Sequence, residues 1–171
     1  VLFSLIGYMY FKLRFWPLWA SLRAAQSILG KTGRLQGHGN ITGLFAGEST
    51  IERTYLHHLE DIRQRLAELL GREVRITRKM LVIGLERADD FYALNRTRLP
   101  HGAIVMTHLF ADECRVCQEL AHRDRAAASV MLRAAIALAL LRRHWQLDGP
   151  VWITSVLSAW LSADEHRPAI L

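Results

Sequence analysis

Ile51, Tyr55, Leu59, Ile62, Leu66, Leu69 and Leu70 recur mostly at spacings of three and four, the stripe of an amphipathic helix. Ser49-Thr-Ile-Glu52 ahead of them is a capping box, and Gly71 behind them is a stop. The opposite face carries Glu52, Arg53, Glu60, Asp61, Arg63, Arg65 and Glu68, a solvated mixture of both signs. The pattern then shortens. Arg72–Thr77 alternates polar with apolar, Met80–Leu85 is a short apolar run, and Ala103–Thr107 follows the turn signal Pro100-His-Gly102. These three segments predict a three-stranded sheet. From His108 to His122 the spacing of Leu109, Val116 and Leu120 predicts a helix. Ala126–Leu141 is apolar nearly all round but only sixteen residues long, with Arg133 in its middle, which predicts a buried helix whose arginine needs a partner. A last helix, with Val151, Trp152, Val156, Leu157, Trp160 and Leu161, is expected after Pro150.

At the other end, Pro17 suits the first turn of a helix over Leu18–Leu29 that Gly30 ends. Val1–Phe11 carries no charge, and eleven residues fall short of the roughly 20 that a helical span needs. The segment reads either as the end of a membrane-associated stretch, with Trp16 and Trp19 near the interface, or as an apolar helix docked on the domain. Gly30, Gly33, Gly37, Gly39, Gly43 and Gly47 fall close together and predict a linker or an ordered loop. The expected architecture is therefore α+β and mainly α. An apolar and basic N-terminal segment (1–29) and a Gly-rich linker (30–48) precede a domain (49–171) with a small three-stranded sheet.

Charge refines this picture. The formal net charge is +6. Residues 1–47 hold five cations (Lys12, Arg14, Arg23, Lys31, Arg34) and no acid, whereas the rest carries 17 cations against 16 acids. A nearly neutral body gives no basic stripe, so no specific nucleic-acid partner is expected. Cys114 and Cys117 are the only cysteines, too few for a disulfide framework.

Gln118-Glu-Leu-Ala-His122 carries the candidate chemistry. On a helix Gln118 and His122 project from one face, and Glu119 lies close enough to hold a water beside an ion bound there. The pentapeptide differs at its first position from His-Glu-x-x-His, in which two histidines bind zinc and the glutamate activates water. Its context extends the likeness: Asp90-Phe-Tyr-Ala-Leu-Asn95, then Leu99-Pro-His-Gly102 with Ala103–Thr107, then Asp112-Glu113, and finally Arg123-Asp-Arg125 behind the pentapeptide. In order and spacing, residues 74–125 resemble the core of HtpX-like membrane zinc metallopeptidases. That resemblance implies a zincin-type active-site helix, a zinc ion, His122 as a ligand and Glu119 as the catalytic base. Gln118 occupies the position of the missing first ligand, and Glu165 is a candidate third ligand by type, as is Asp164.

The resemblance further implies a peptide or protein substrate or partner, a lipid bilayer contacted through Val1–Trp19, and a place at a bacterial inner membrane with the body facing the cytoplasm. Two functions follow as expectations. One is a zinc metallopeptidase homologue, a pseudoenzyme if Gln118 abolishes metal binding. The other is a non-catalytic structural or adaptor subunit of a bacterial membrane assembly. Other motifs are weaker. Ala25–Thr32 matches a relaxed phosphate-loop pattern but follows a helix rather than a strand. His57 and His58, adjacent on a helix, diverge by about 100° and are poor joint ligands.

Overall fold

Met80–Leu85 is buried on both faces, as a strand at the centre of a covered sheet is. The computed structural model describes residues 2–46, 50–96, 98, 102–108, 111–121 and 125–144. Its strands are β1 (Gly33–His38), β2 (Ile41–Ala46), β3 (Lys79–Leu85), β4 (Ala103–Thr107) and β5 (Ala111–Cys117), in the order β1-β2-β3-β5-β4. The parallel centre is β2, β3 and β5, with Ile41 opposite Met80 and Ile83 opposite Arg115. Antiparallel hairpin partners β1 and β4 form the two edges.

Among the described residues, four α-helices cover this sheet: α1 (Leu2–Leu29), α2 (Thr50–Leu70), α3 (Ala88–Asn95) and α4 (Arg125–His144). On one face, Tyr55, Leu59, Ile62 and Leu66 of α2 meet Leu132, Ile136 and Leu140 of α4 over Phe45, Val82, Cys114 and Val116. On the other, Ala25 and Leu29 of α1 and Phe91 and Leu94 of α3 cover Leu44, Leu81, Ile83 and Cys117. Both faces are covered, the usual condition for parallel strands.

Several expectations are met. The helix expected behind Ser49 runs over Thr50–Leu70, Met80–Leu85 lies within β3, Ala103–Thr107 is β4, and the buried helix spans Arg125–His144. Arg133 finds its partners on α2: its Nη2 donates to Asp61 Oδ2 at 2.6 Å, and its Nη1 lies 3.3 Å from His58 Nδ1. Gly30, at φ 54°, ends α1 as expected, but Pro17 sits inside that helix rather than opening it. It removes one backbone hydrogen bond there. The helix after Pro150 lies outside the described residues.

Four expectations are corrected. The sheet has five strands, not three. The segment read as a Gly-rich linker supplies β1 and β2, joined at the two-residue turn Gly39-Asn40. Gly39 has φ 57°, which the first central position of a type II′ hairpin turn requires. Residues 73–77 have the alternating exposure of a strand but no ladder. Val74 and Ile76 turn inward, and their carbonyls accept from Arg63 and Asn40 side chains instead of a neighbouring strand. The fourth correction is the largest: Ala111–Cys117 is strand β5 rather than part of a zincin-type active-site helix.

Gly43 shows why glycine belongs in β2. A Cβ there would run into the Phe45 ring, lie 2.7 Å from Phe45 Cζ and come within 3.1 Å of Tyr55 Cζ. The missing side chain makes room for the Phe45–Tyr55 ring pair, whose centroids are 4.7 Å apart. Gly43→Ala should therefore destabilise the protein by about 1–3 kcal/mol through overpacking. At roughly 2–4 °C per kcal/mol for a chain of this size, a thermal melt should fall by several degrees. An unchanged melt would show that these rings do not pack over Gly43.

Candidate functional site

The C-terminal ends of β2, β3 and β5 share one rim of the sheet. From β2 the chain passes to α2 on one face, and from β3 to α3 on the other. Open α/β sheets bind ligands at such a divergence, outside the carboxyl ends of the strands. Gln118 and Glu119 follow β5 at this rim. Gln118 N–H donates to Leu85 O at 2.8 Å and Glu119 N–H to Glu86 O at 3.0 Å, so β5 stays tied to the chain leaving β3 just beyond the strands. Glu119 Oε2 then accepts from Ala88 N–H at 2.7 Å.

That contact defines what Glu119 does here. Ala88 opens α3, whose first amides lack helical acceptors and carry the positive end of the helix dipole. Arg87, at the N-cap, makes no side-chain capping bond. Glu119 supplies the missing cap from 31 residues further along the chain. A helix N-terminus at a strand's carboxyl end is where an anionic ligand would bind. In this protein its own carboxylate is at that place.

The other residues expected at the site are dispersed or lie outside the described chain. Gln118 is half-buried in a turn, and Glu119–Ala121 is a 3-10 turn rather than α-helix. The single straight helix that would carry Gln118 and a residue four further on along one face is not formed. His122, Asp164 and Glu165 lie outside the described residues. Among the described residues, no three His, Cys, Asp or Glu side chains gather closely enough to share an ion. Of the expected zinc site only Gln118 and Glu119 are described, and Glu119 caps α3.

Cys114 and Cys117 also part company. Three residues apart on a strand, they face opposite sides of the sheet. Cys114 Sγ lies 3.7 Å from Ala135 O under α4, and Cys117 Sγ lies 3.8 Å from Glu86 O. Burial pushes both thiols up from their ordinary range, and Asp112 and Glu113 add to the effect at Cys114. Both are therefore protonated core thiols rather than nucleophiles.

A second polar constellation went unforeseen. Glu113 is fully buried on the face of β5 that α1 and α3 cover, and Arg115 stands two residues along on the same face. Arg115 Nε donates to Glu113 Oε1 at 2.6 Å. Its Nη1 donates to Leu94 O at 3.1 Å and to Asn95 Oδ1 at 2.7 Å, and its Nη2 to Ser21 Oγ at 3.1 Å. One guanidinium thus ties the sheet to the end of α3 and the middle of α1. The remaining Glu113 oxygen lies 3.5 Å from His108 Nε2, and among the described residues neither atom has a hydrogen-bond partner. The sequence signal was present as two opposite charges at i and i+2, but a helical reading separates them by about 200° around the axis.

No family model matches the chain, and neither a curated protein nor a solved structure matches it. The likeness of residues 74–125 to HtpX-like metallopeptidases therefore stands on those residues alone.

The Arg115 network makes an asymmetric prediction. Arg115→Met strands the Glu113 carboxylate in the core and should cost about 3–5 kcal/mol in chemical denaturation. The double variant Glu113→Leu with Arg115→Met removes both charges and should recover most of that loss. Equal losses in single and double variants would show that the two charges are not coupled.

Proposed function

We propose that this protein is a non-catalytic adaptor of a membrane-associated assembly, held to the bilayer surface by the N-terminal half of α1. The observation that carries this reading is the division of that helix. Its C-terminal half is built into the core through Leu18, Leu22, Ala25, Ile28 and Leu29. Its first turns are exposed although apolar: Leu5, Ile6, Tyr8, Met9 and Tyr10 are each 48–59% exposed.

The geometry explains why. Leu29 packs beside Gly33 at the start of β1, while Ser21 reaches Arg115 on β5. The helix therefore crosses the sheet toward its β4 edge, and its earlier residues continue past that edge. Fourteen residues, from Ser4 to Pro17, extend about 21 Å at 1.5 Å per residue. Among the described residues, no helix is long and apolar enough to cross a membrane. The overhang is instead suited to entering one leaflet.

Chemistry favours a lipid surface as its target. Tyr8 and Tyr10 are amphipathic, Lys12 sits 5.6 Å from the Tyr8 ring centroid, and Arg23 lies 4.3 Å over the Trp19 ring. Aromatic rings and cations together are the side chains of a headgroup zone. No acid occurs in residues 1–47 to repel anionic lipid. Burying the exposed halves of Leu5, Ile6 and Met9 contributes on the order of 1 kcal/mol each, and a cation near an anionic surface about the same. Such a sum supports reversible association. The non-catalytic part of the reading rests on Glu119, whose carboxylate holds α3 rather than standing free for a reaction.

Flotation tests the attachment. Full-length protein should rise with vesicles containing phosphatidylglycerol, less with neutral phosphatidylcholine, and less again as salt is raised. Leu5→Asp combined with Met9→Asp should abolish flotation without shifting the thermal melt, because both side chains lie off the core. Wild-type protein that stays with the dense fraction, or a double variant that floats equally well, would sink this proposal.

A further inference from the structure

Attachment through the overhang involves only half of α1, yet the packed half has an outer side as well. Leu18, Leu22, Ala25 and Leu29 form the stripe that meets the core. At about 100° per residue, Leu5, Met9, Lys12, Trp19 and Arg23 fall within an arc of about 80°, centred about 130° from that stripe. All five are exposed, Trp19 by 44% although it lies in the packed half. Ser27 shares the arc and is exposed too. One outer face therefore runs along the continuous helix, from the apolar overhang past an aromatic ring and two cations.

Charge divides the molecule across the sheet. Helix α1 carries Lys12, Arg14 and Arg23 and no acid. Segment 86–98, which includes α3 in the same layer, carries three acids and three cations. On the far side of the sheet, α2 carries four acids and three arginines, and its Glu60 and Glu68 are exposed. An anionic surface therefore attracts the α1 layer more than α2. Depth separates two ways of meeting that surface. Lys12 and Arg23 are about 16 Å apart along the axis at 1.5 Å per residue. A helix entering end-on, with Lys12 among the headgroups, would hold Arg23 that far above them, beyond the screening length of about 8 Å. A helix lying flat brings Lys12, Trp19 and Arg23 to one depth, as interfacial helices do.

We propose that α1 lies along the bilayer surface over its whole length, its outer face against anionic headgroups, with the α1–α3 layer toward the membrane and the α2–α4 layer away from it. This orientation rests on the attachment proposed above and adds its face and its extent. Arg23 becomes a headgroup contact, and the Trp19 ring 4.3 Å beneath its guanidinium belongs to the same zone. Ser21, bonded to Arg115, and buried Ala25 fix the roll of the helix on the sheet, so the outer face of α1 sets how the whole domain sits.

The test uses full-length protein, phosphatidylglycerol vesicles and a nitroxide on one introduced cysteine: Leu5→Cys, Ser27→Cys or Glu68→Cys. Cys114 and Cys117 are buried and stay unlabelled. Collision with a water-soluble nickel chelate reads shielding by lipid. On vesicles, the labels at positions 5 and 27 should each lose at least about half of their collisions, and the label at 68 should keep its own. In vesicle titrations Arg23→Glu should weaken binding by about tenfold or more, and Glu68→Lys should leave it within about twofold. Shielding at position 5 without shielding at 27, equal shielding at 68, or Arg23→Glu that binds like wild type would overturn the flat orientation and leave attachment through the overhang standing. Wild-type protein that binds no vesicles, with no label shielded, would overturn the attachment itself and this orientation with it.

Discussion

Placing Ala111–Cys117 between β3 and β4 puts two opposite charges, Glu113 and Arg115, inside the protein, and whatever covers that face must answer to them. The pair alone would be a poor bargain, since desolvating two ions costs several kcal/mol each. Arg115 offsets that cost by donating beyond Glu113, to a carbonyl and an amide at the end of α3 and to a hydroxyl on α1. Its planar fork can reach several acceptors at fixed angles, which a lysine in its place could not. The position of α1 across the sheet follows from this tie and from the packing of Ala25 and Leu29. The overhang of its N-terminal half follows in turn.

The same strand assignment decides the chemistry at the rim. If residues 111–122 formed one helix, Gln118 and His122 would share a face and Glu119 would stand beside them. With β5 in the sheet, the chain leaves the strand at Gln118 and turns at once. Glu119 is carried to the first amide of α3. A carboxylate that caps a helix is held in place by that amide, whereas a general base must reach the proton it takes. The pentapeptide that looks most catalytic in sequence becomes a joint between β5 and α3. Among the described residues, what is left exposed and chemically distinctive is the free end of α1.

How much of this was legible depended on whether a segment's pattern came from its own face or from its neighbours. The helix α2 announced itself because one face packs and the other is solvated. So did β3, whose apolar run reflects burial on both sides, and the partner that Arg133 required was a deduction from burial alone. The hairpin β1–β2 was hidden by its glycines. They signal flexibility in composition, yet Gly39 makes a turn and Gly43 makes room for two rings. Residues 72–77 alternate as a strand should, but nothing in a sequence says that side chains of Arg63 and Asn40 will take the place of a ladder. Strand β5 was hardest. Its polar residues are buried rather than solvated, so the usual alternation is absent, and Leu109, Val116 and Leu120 fall at helical spacing by accident. Glu113 and Arg115 at i and i+2 were the clue, legible only to a reader already expecting a strand.

The conformation of Asp112–Cys117 is therefore the measurement on which the account turns. Backbone assignment by NMR of uniformly labelled protein reads it directly. The account predicts Cα shifts displaced to the strand side through these residues, cross-strand contacts between the chain at Ile83 and at Arg115, and helical shifts along Arg125–His144. Continuous helical shifts from Asp112 through His122 would contradict it, would free Glu119 from α3, and would return the pentapeptide to one face of a metallopeptidase-type helix.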